Sequence, residues 1–313
     1  MPAEVTPAKS GYIEINCQSC GSSLIVESKM LTAICPYCAS SSIIQRPPAK
    51  DLPRPSFAIG FVIDHDRATE LVRQWLRKSH IFARSDFRRA GPELTRGVYL
   101  PGYLYSAVSD SNFSASIGEN YTETQTYTTT DSKGRTVTRT RTVTRTEWRP
   151  LSGRHSCYVM DVDVTATRGV GKADHHAIEP IDLRALRRFQ PALITGWLAE
   201  RPSRTREDCL RMARSETRGK VGVMLKNFMP GDSHRGLRFE TKVSREVIHL
   251  VLFPIWSFAV RYDPHKAPLQ ILVNGQTGRV GGKVPVSSMK VSLAIAGVVL
   301  LIGLLVLLFL LAD

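Results

Sequence analysis

The sequence predicts an α+β protein in three parts: an N-terminal four-cysteine zinc ribbon, a β-rich body and a single C-terminal transmembrane helix. Three observations predict it: two Cys-x-x-Cys pairs, alternating strand patterns around two amphipathic helices, and an apolar run near the C-terminus. The body divides into two related α+β modules, and a β-hairpin projects from the first. The predicted boundaries are 1–46 for the zinc ribbon, 47–56 for a Pro-rich linker, 57–170 and 171–285 for the modules, and 291–311 for the transmembrane helix.

Four cysteines in the first 46 residues form two Cys-x-x-Cys knuckles, Cys17 with Cys20 and Cys35 with Cys38, and 14 residues separate the knuckles. Each knuckle is a tight turn that aims two thiolates at one point, and two knuckles complete a tetrahedral site of four sulfurs that suits Zn²⁺. Because no coordination position stays open for water, the pattern predicts one structural Zn²⁺ and no catalytic role for it. Rubredoxin-type iron and a redox dithiol pair are the alternatives.

Short apolar stretches around the knuckles predict the strands of the ribbon, at residues 12–16, 23–26, 31–34 and 42–44. The Pro-rich linker at 47–56 favours an extended chain. We therefore expect the ribbon to fold independently, so that loss of its metal would leave the body ordered.

Two segments of the body share a pattern of an apolar residue, Pro, any residue, an aromatic, any residue and an aromatic. They are residues 100–105 and 253–258. A predicted helix precedes each segment; the first is capped by Asp66 and ends near Lys78, and the second spans 206–220. This correspondence predicts the two related modules. The aromatic side chains either line a binding groove or pack in the core, and the sequence favours the core.

Residues 121–148 are rich in Thr, Arg and Tyr and predict the projecting hairpin, with Gly134 in the left-handed position of its loop. One face carries Tyr and Arg and the other is almost wholly Thr, so neither face can enter a core. The Tyr and Arg face would contact phosphates and bases, lipid headgroups or the sheet edge of another protein. The alternative is a solvated hairpin. The candidate partner-binding residues are Tyr121, Tyr127, Arg139, Arg141 and Arg145.

The run at residues 291–311 has Ser292 as its only polar side chain. A helix of this length spans about 30 Å, which matches the hydrocarbon core of a bilayer. Only Ala312 and Asp313 follow in the sequence, so we expect a tail anchor. A buried helix of a soluble protein is the alternative, although such helices are seldom apolar on every face.

The chain carries 42 Lys and Arg residues against 28 Asp and Glu residues, a formal net charge of +14. This charge suits an anionic membrane face or a nucleic acid. Lys290, Lys283 and Arg279 precede the apolar run and no basic residue follows it. The positive-inside rule therefore predicts a single-pass protein of the cytoplasmic membrane whose N-terminal body lies in the cytoplasm.

No catalytic signature accompanies these features, and the sequence predicts a protein that is not an enzyme. Residues 64–66 (Asp-His-Asp) precede a helix, where they serve as caps, and the pair at 175–176 (His-His) shows no acidic residue at a ligand-like offset. The glycines at 169–171 and 281–282 do not complete a phosphate-binding loop, because the required spacing and a following Ser or Thr are missing.

With these motifs in place, the chain resembles a functionally uncharacterised family of bacterial membrane proteins with a TFIIB-type zinc ribbon, some of whose members are labelled as primosomal-helicase-related. The resemblance implies a ribbon joined to a membrane anchor, whereas the helicase label finds no Walker loop in this chain. One departure is Ala39, where the second knuckle usually has Gly. The matching residues are Cys17, Cys20, Cys35, Cys38, the segment Tyr99-Leu100-Pro101, the hairpin ending in Trp148, Phe253-Pro254-Ile255-Trp256 and Val273 to Gly278.

Two functions remain open at this stage. The first is a membrane-tethered adaptor or scaffold whose ribbon and body bind another protein. The second is a nucleic-acid-binding protein held at the membrane, which the basic hairpin and the ribbon would serve. An enzyme acting on lipid or peptide is a third alternative.

Overall fold

The computed structural model describes residues 12–27, 35, 40, 43–46, 53–78, 81–130 and 134–312. Within these ranges the protein is a strand-rich α+β fold with a long apolar helix near its C-terminus and a cysteine cluster near its N-terminus. The predicted fold class is confirmed at that level. The predicted strand at 31–34, the metal ligand Cys38 and residues 131–133 of the hairpin loop lie outside the described residues.

The described strands and helices have the following bounds. The strands are β1 (Tyr12–Cys17), β2 (Ser23–Glu27), β3 (Ile43–Arg46), β4 (Phe57–Ala58), β5 (Pro92–Thr130), β6 (Thr136–Thr165), β7 (Arg187–Arg188), β8 (Leu198–Glu200), β9 (Ser233–Val260), β10 (Leu269–Asn274) and β11 (Val280–Gly282). The helices are α1 (His65–Lys78), α2 (Ser85–Arg89), α3 (Lys172–Ala177), α4 (Arg206–Phe228) and α5 (Ser288–Ala312).

The described strands pair in the order β11-β10-β9-β5-β8-β2-β1-β3, with β4 paired to β7 and β9, and β6 paired to β5. The chain divides into two compact units. Unit 1 comprises Met1–Tyr103, Val164–Cys209 and His249–Asp313, and unit 2 comprises Leu104–Asp163 and Leu210–Ile248. Each unit draws on both predicted modules, so the module boundaries at 57–170 and 171–285 stay a prediction.

Helix α1 covers an apolar face of unit 1. Its buried residues Ala68, Val72 and Leu76 follow at steps of four, so they lie on one side of the helix. They pack in one cluster with Trp256 and Phe258 of β9. The hydrophobic periodicity thus predicted this helix and its packing face correctly.

The cap of α1 differs from the sequence prediction. The Asp64 carboxylate accepts a hydrogen bond of 2.7 Å from the Arg67 backbone N–H, so Asp64 caps the helix. Asp66 already lies in the first turn and contacts His65 instead. Asp64 and Asp66 are both residues that commonly cap helices, so the sequence does not show which of them is the cap. The backbone geometry identifies Asp64.

The two aromatic segments with a central proline are core elements. In unit 1, Gly102 lies so close to Phe253 that a Cβ there would come within 2.7 Å of the ring. Buried rings at these positions favour the core interpretation over a binding groove. The buried aromatic residues of the two segments are Tyr103, Tyr105, Phe253, Trp256 and Phe258, and Tyr99 directly before the first segment is also buried.

The cysteine-bearing strands are joined to the rest of unit 1. Strand β2 pairs antiparallel with β8, with Leu24 opposite Glu200. The Arg201 N–H donates to the Ser23 carbonyl at 2.7 Å, and the Arg201 guanidinium forms an ion pair with Glu14 of β1 in which both side chains are largely buried. Strand β2 thus contacts the body directly, and independent folding of the ribbon behind the linker at 47–56, of which residues 47–52 lie outside the described residues, stays a prediction. A strand from a distant part of the chain supplies the missing neighbour for β2.

Unit 2 contains long stretches of β5, β6 and β9 and most of α4. The buried face of α4 in this unit consists of Ala213, Thr217, Val221 and Leu225, again at steps of four. Gly222 is pressed against the sheet, because a Cβ there would lie 2.9 Å from the Phe239 ring of β9. This close approach explains a glycine inside a helix, where the residue otherwise costs stability.

A charged cluster in unit 2 fixes α4 to β9. Both oxygens of Glu246 accept hydrogen bonds of 2.7 Å from the Arg214 guanidinium, and the buried Tyr105 hydroxyl donates to Glu246 at 2.7 Å. Arg214 and then Tyr105 hold the pKa of Glu246 below its ordinary value, although burial opposes them. Burial and the same carboxylate raise the pKa of Tyr105.

Helix α5 begins three residues before the predicted apolar run. From Ser288 to Val306 it is long and apolar enough to cross a membrane, and none of that stretch is buried in the described part of the chain. The Ser287 carbonyl accepts from the Val291 N–H at 3.1 Å, and its hydroxyl lies 3.5 Å from the Lys290 N–H. The apolar helix is confirmed, and it is compatible with a membrane anchor.

The substitution Gly169→Ala tests whether the cysteine-bearing strands pack on the body. A Cβ at Gly169 would lie 2.8 Å from the Cβ of the buried Ser22 and 3.2 Å from a Glu200 oxygen. We expect the free energy of unfolding to fall by about 1–3 kcal/mol, as at other overpacked sites. The change would be measured as a lower melting temperature of the full chain in detergent. The control is Gly219→Ala on α4, which has nothing within 4 Å and should leave stability unchanged or raise it. Equal melting temperatures for Gly169→Ala and the unmodified chain would contradict the packing.

The Glu246 cluster predicts a pH dependence. A carboxyl group with a depressed pKa stabilises the fold above its unfolded pKa of about 4.3, and this contribution disappears as the pH falls through the folded pKa. Because the Arg214 side chain is 47% exposed, we expect the ionised Glu246 carboxylate to contribute only about 1 kcal/mol to the free energy of unfolding. Glu246→Gln should therefore lower the melting temperature at pH 7 and have little effect near pH 3. Glu240→Gln, an exposed position on the same strand, is the control; parallel pH profiles for both variants would exclude the mechanism.

Candidate metal centre

Three cysteine sulfurs of unit 1 converge on one point. Cys17 ends β1, Cys20 lies in the turn that follows, and Cys35 approaches from further along the chain. Their Sγ atoms all lie within 4.8 Å of one another, and the Sγ atoms of Cys20 and Cys35 are 3.7 Å apart. A disulfide requires about 2.05 Å. Two sulfurs bound at about 2.3 Å to one tetrahedral ion lie about 3.8 Å apart, so the observed distance suits two ligands of one metal.

Cys17 and Cys35 make the same kind of backbone hydrogen bond. The Cys17 N–H donates to the carbonyl of Ser22, five residues on, at 2.9 Å, and the Cys35 N–H donates to Ser40, also five residues on, at 2.8 Å. Gly21 has φ of 76°, the left-handed conformation that glycine adopts without strain. The first cysteine of each knuckle thus donates a backbone hydrogen bond at the same offset.

Hydrogen bonding within the cluster involves Ser22. Its hydroxyl oxygen lies 3.2 Å from Cys20 Sγ and 3.4 Å from Cys35 Sγ, and the Ser22 side chain is buried. The hydrogen bond with Cys35, followed by burial, raises the pKa of the Cys20 thiol. Closely packed sulfurs disfavour thiolates unless a cation compensates them, and a divalent metal ion supplies that compensation.

These residues fit a metal ion by ligand chemistry and by distance. Cys17, Cys20 and Cys35 offer three sulfurs, and the predicted fourth ligand, Cys38, lies outside the described residues. The structure therefore establishes a group of three cysteines that could hold a metal. Sequence spacing identified all three, because a Cys-x-x-Cys pair is a local pattern whose geometry the turn itself determines.

The five candidate partner-binding residues of the hairpin are exposed, and an acidic side chain balances the charge of one of them. The Cζ atom of Arg141 lies 5.6 Å from the ring centroid of Tyr127, and the Arg141 guanidinium also donates to the Gln125 side chain at 3.2 Å. Arg145 forms an ion pair of 2.5 Å with Glu123. Tyr121 and Arg139 are exposed on the same strands. These contacts lie within the hairpin, so the binding role of the five residues stays a prediction.

A contact near the consecutive histidines was missed from the sequence. His176 Nδ1 lies 2.5 Å from a Glu179 oxygen, three residues further on, and His175 is buried. Glu179 does stand at the offset of one helical turn, which the sequence interpretation overlooked. The contact is compatible with a structural pair at the end of α3, and the absence of catalytic activity stays a prediction.

Comparison with known proteins gives a distant relative. No family model matches the chain, and no solved structure matches it. The "Uncharacterized protein YdjG" of Bacillus subtilis (strain 168) is 24% identical over 245 residues, which cover 78% of this chain and 67% of that relative. This similarity covers most of the chain, but the relative's name gives no activity, and the resemblance to TFIIB-type ribbon proteins stays a prediction.

The substitution Cys35→Ser tests the metal centre and its coupling to the body. It removes one converging sulfur, so bound metal should be lost from the purified full chain. Metal binding supplies about 10–16 kcal/mol in isolated zinc-finger peptides, more than a small ribbon can replace. Because β2 pairs with β8, hydrogen exchange should accelerate at residues 198–201 as well as at the knuckles.

The matched control is Cys157→Ser, which alters a half-buried cysteine of unit 2 outside the cluster. It should retain the metal and the exchange protection of β8. Full metal content in Cys35→Ser would exclude the site. Metal loss with unchanged exchange at β8 would show that the ribbon unfolds alone.

Proposed function

We propose that this protein is a single-pass membrane protein with one structural Zn²⁺, which serves as a protein-binding adaptor or scaffold at the cytoplasmic face of the membrane. The observation that carries the proposal is the unburied apolar helix α5 joined to a strand-rich body. Lys290, Lys283 and Arg279 before the helix favour the cytoplasmic orientation by the positive-inside rule.

The choice of Zn²⁺ and its structural role rest on the donor set. With Cys38, which lies outside the described residues, as the fourth ligand beside Cys17, Cys20 and Cys35, four thiolates would form a closed tetrahedral site without a position for substrate or water. The centre lies in strands that pair with the body through β8. A metal placed there stabilises the sheet and has no route to chemistry, which supports a scaffold rather than an enzyme.

The adaptor role rests on the exposed hairpin. Two long strands, β5 and β6, carry a Tyr and Arg face whose side chains contact mainly one another. Aromatic and Arg side chains are enriched where proteins bind proteins, because they bury much area with little loss of conformational freedom. The same face also suits nucleic acid, and the stacked Tyr127 and Arg141 favour that second candidate. The ion pair of Arg145 with Glu123 weakens it, since the carboxylate cancels charge that phosphates would need.

A face-specific cross-linking experiment tests the adaptor role. The full chain is cross-linked in native membranes, and co-purified proteins and nucleic acids are identified for the unmodified chain and for Tyr127→Ala/Arg141→Ala. We expect one recurrent protein that the double variant loses. The control, Thr138→Ala/Thr140→Ala, alters the opposite, Thr-rich face of β6 and should retain it.

Two results would overturn the adaptor role. Recovery of nucleic acid without a recurrent protein, lost steeply with added salt, would establish the second candidate. A recurrent protein retained equally by both double variants would show that the hairpin face does not bind it.

A further inference from the structure

The start of α5 is bonded to a segment that follows α1, and both belong to unit 1. Ala83 forms an antiparallel bridge with Val286, and N–H···O bonds of 2.8 and 3.0 Å flank it between residues 82–84 and 285–287. Lys290, in the first turn of α5, donates from Nζ to the Ala83 carbonyl at 2.7 Å. Backbone and side chain together thus hold this segment at the point where α5 begins.

Ile81 lies two residues before the bridged Ala83, and Ser288, two residues after the bridged Val286, begins α5. Ile81 is 77% exposed, the largest value among the exposed large hydrophobic residues of the described chain. Val286 in the bridge and Met289 in the first turn of α5 are also exposed. We call Ile81, Val286 and Met289 the apolar collar. Exposed apolar side chains at the start of an apolar helix suit contact with the interface of a membrane.

The chain around the collar is basic. Residues 77–89 contain five Lys or Arg residues and one Asp. Lys78 ends α1, and Arg88 and Arg89 end α2, where cations also complement the helix dipole. Their side chains are exposed, so their charge is available to an anionic surface.

We propose that the apolar collar and these basic residues form a second membrane contact, which binds anionic phospholipid beside the point where α5 enters the bilayer. The proposal rests on α5 as the membrane span of the proposed function and deepens it. Whatever surrounds the first turn of α5 also surrounds Ile81, because the bridge leaves no length of free chain between them. Apolar side chains with basic neighbours are the composition that enters an anionic interface.

Contact with a lipid bilayer, rather than with a protein, also explains why the apolar collar is small. A protein partner needs a broad complementary surface, whereas the collar consists of three side chains at the base of an unburied helix. Lipid chains adapt to such a shape without specific complementarity. The contact would fix how unit 1 is oriented on the membrane, which a single helix alone does not do.

Photo-cross-linking of the full chain tests this assignment. A benzophenone amino acid replaces Ile81, Met289 or Val62 in turn, and each variant is reconstituted in vesicles of phosphatidylcholine with phosphatidylserine. Val62 is a matched control: it is 72% exposed in unit 1 and lies beyond the other end of α1, whose 14 residues span about 20 Å. Mass spectrometry then measures the lipid adducts at each position.

We expect lipid adducts at Ile81 and Met289 and at least about tenfold fewer at Val62. Adducts at Met289 without adducts at Ile81 would overturn the second contact and leave the anchor intact. Absence of adducts at both positions would overturn the anchor and the second contact together. Equal yields of lipid adducts at Ile81 and Val62 would show that the body contacts lipid without a preferred site, and would overturn the second contact. A protein adduct at Ile81 in native membranes, in place of lipid, would assign the collar to a protein.

A charge-reversal variant tests the anionic component. Lys78→Glu/Arg89→Glu should lower the lipid adducts at Ile81 by roughly tenfold in the phosphatidylserine vesicles, with adducts at Met289 unchanged. Arg187→Glu/Arg188→Glu makes the same charge change at exposed residues of β7 and should have no effect. An unchanged yield at Ile81 in the first variant would overturn the electrostatic part of the proposal, and an equal loss in both would make it a net-charge effect.

Discussion

The pairing of β2 with β8 is the constraint on which the N-terminal half of unit 1 depends. A ribbon of a few short strands buries too little apolar surface to be stable alone, and its edge strands expose unpaired backbone groups. Strand β8 pairs with the edge strand β2. Beside this pairing, Glu14 of β1 forms an ion pair with Arg201, and both side chains are largely shielded from solvent. The cysteine cluster is therefore joined to the rest of unit 1 by strand pairing, and a metal ion bound there would stabilise both.

The local features of this fold follow from the sequence, and the long-range features do not. Helix α1, helix α5 and the cysteine knuckles depend on residues within about one or two turns of each other, so periodicity and spacing define them. Strand β8 has three residues and no alternation long enough to identify it, and its partner lies in a distant part of the chain. The prolines before β4 suggested an independent ribbon because their local effect is visible in the sequence, whereas the partner of β2 is not.

The same distinction between local and long-range features applies to the candidate sites. The sulfurs of Cys17, Cys20 and Cys35 could be grouped from the sequence, because each turn aims its own ligands. The role of Ser22 between the sulfurs could not, since serine is common in turns and only its burial gives it importance. On the hairpin, alternation predicted the exposed Tyr and Arg face, but the pairing of Arg145 with Glu123 depends on a diagonal contact between strands.

The bridge between Ala83 and Val286 bonds the start of the apolar helix α5 to the rest of unit 1. A chain that left the sheet through an unbonded linker would let α5 rotate freely. Here β11 ends at Gly282, the bridge is at Val286 and α5 begins at Ser288, so few residues remain that are not bonded to the body. Lys290 directs its ammonium group to the Ala83 carbonyl. The direction of α5 is thus coupled to the packing of α1 and α2, which hold residues 81–84 between them.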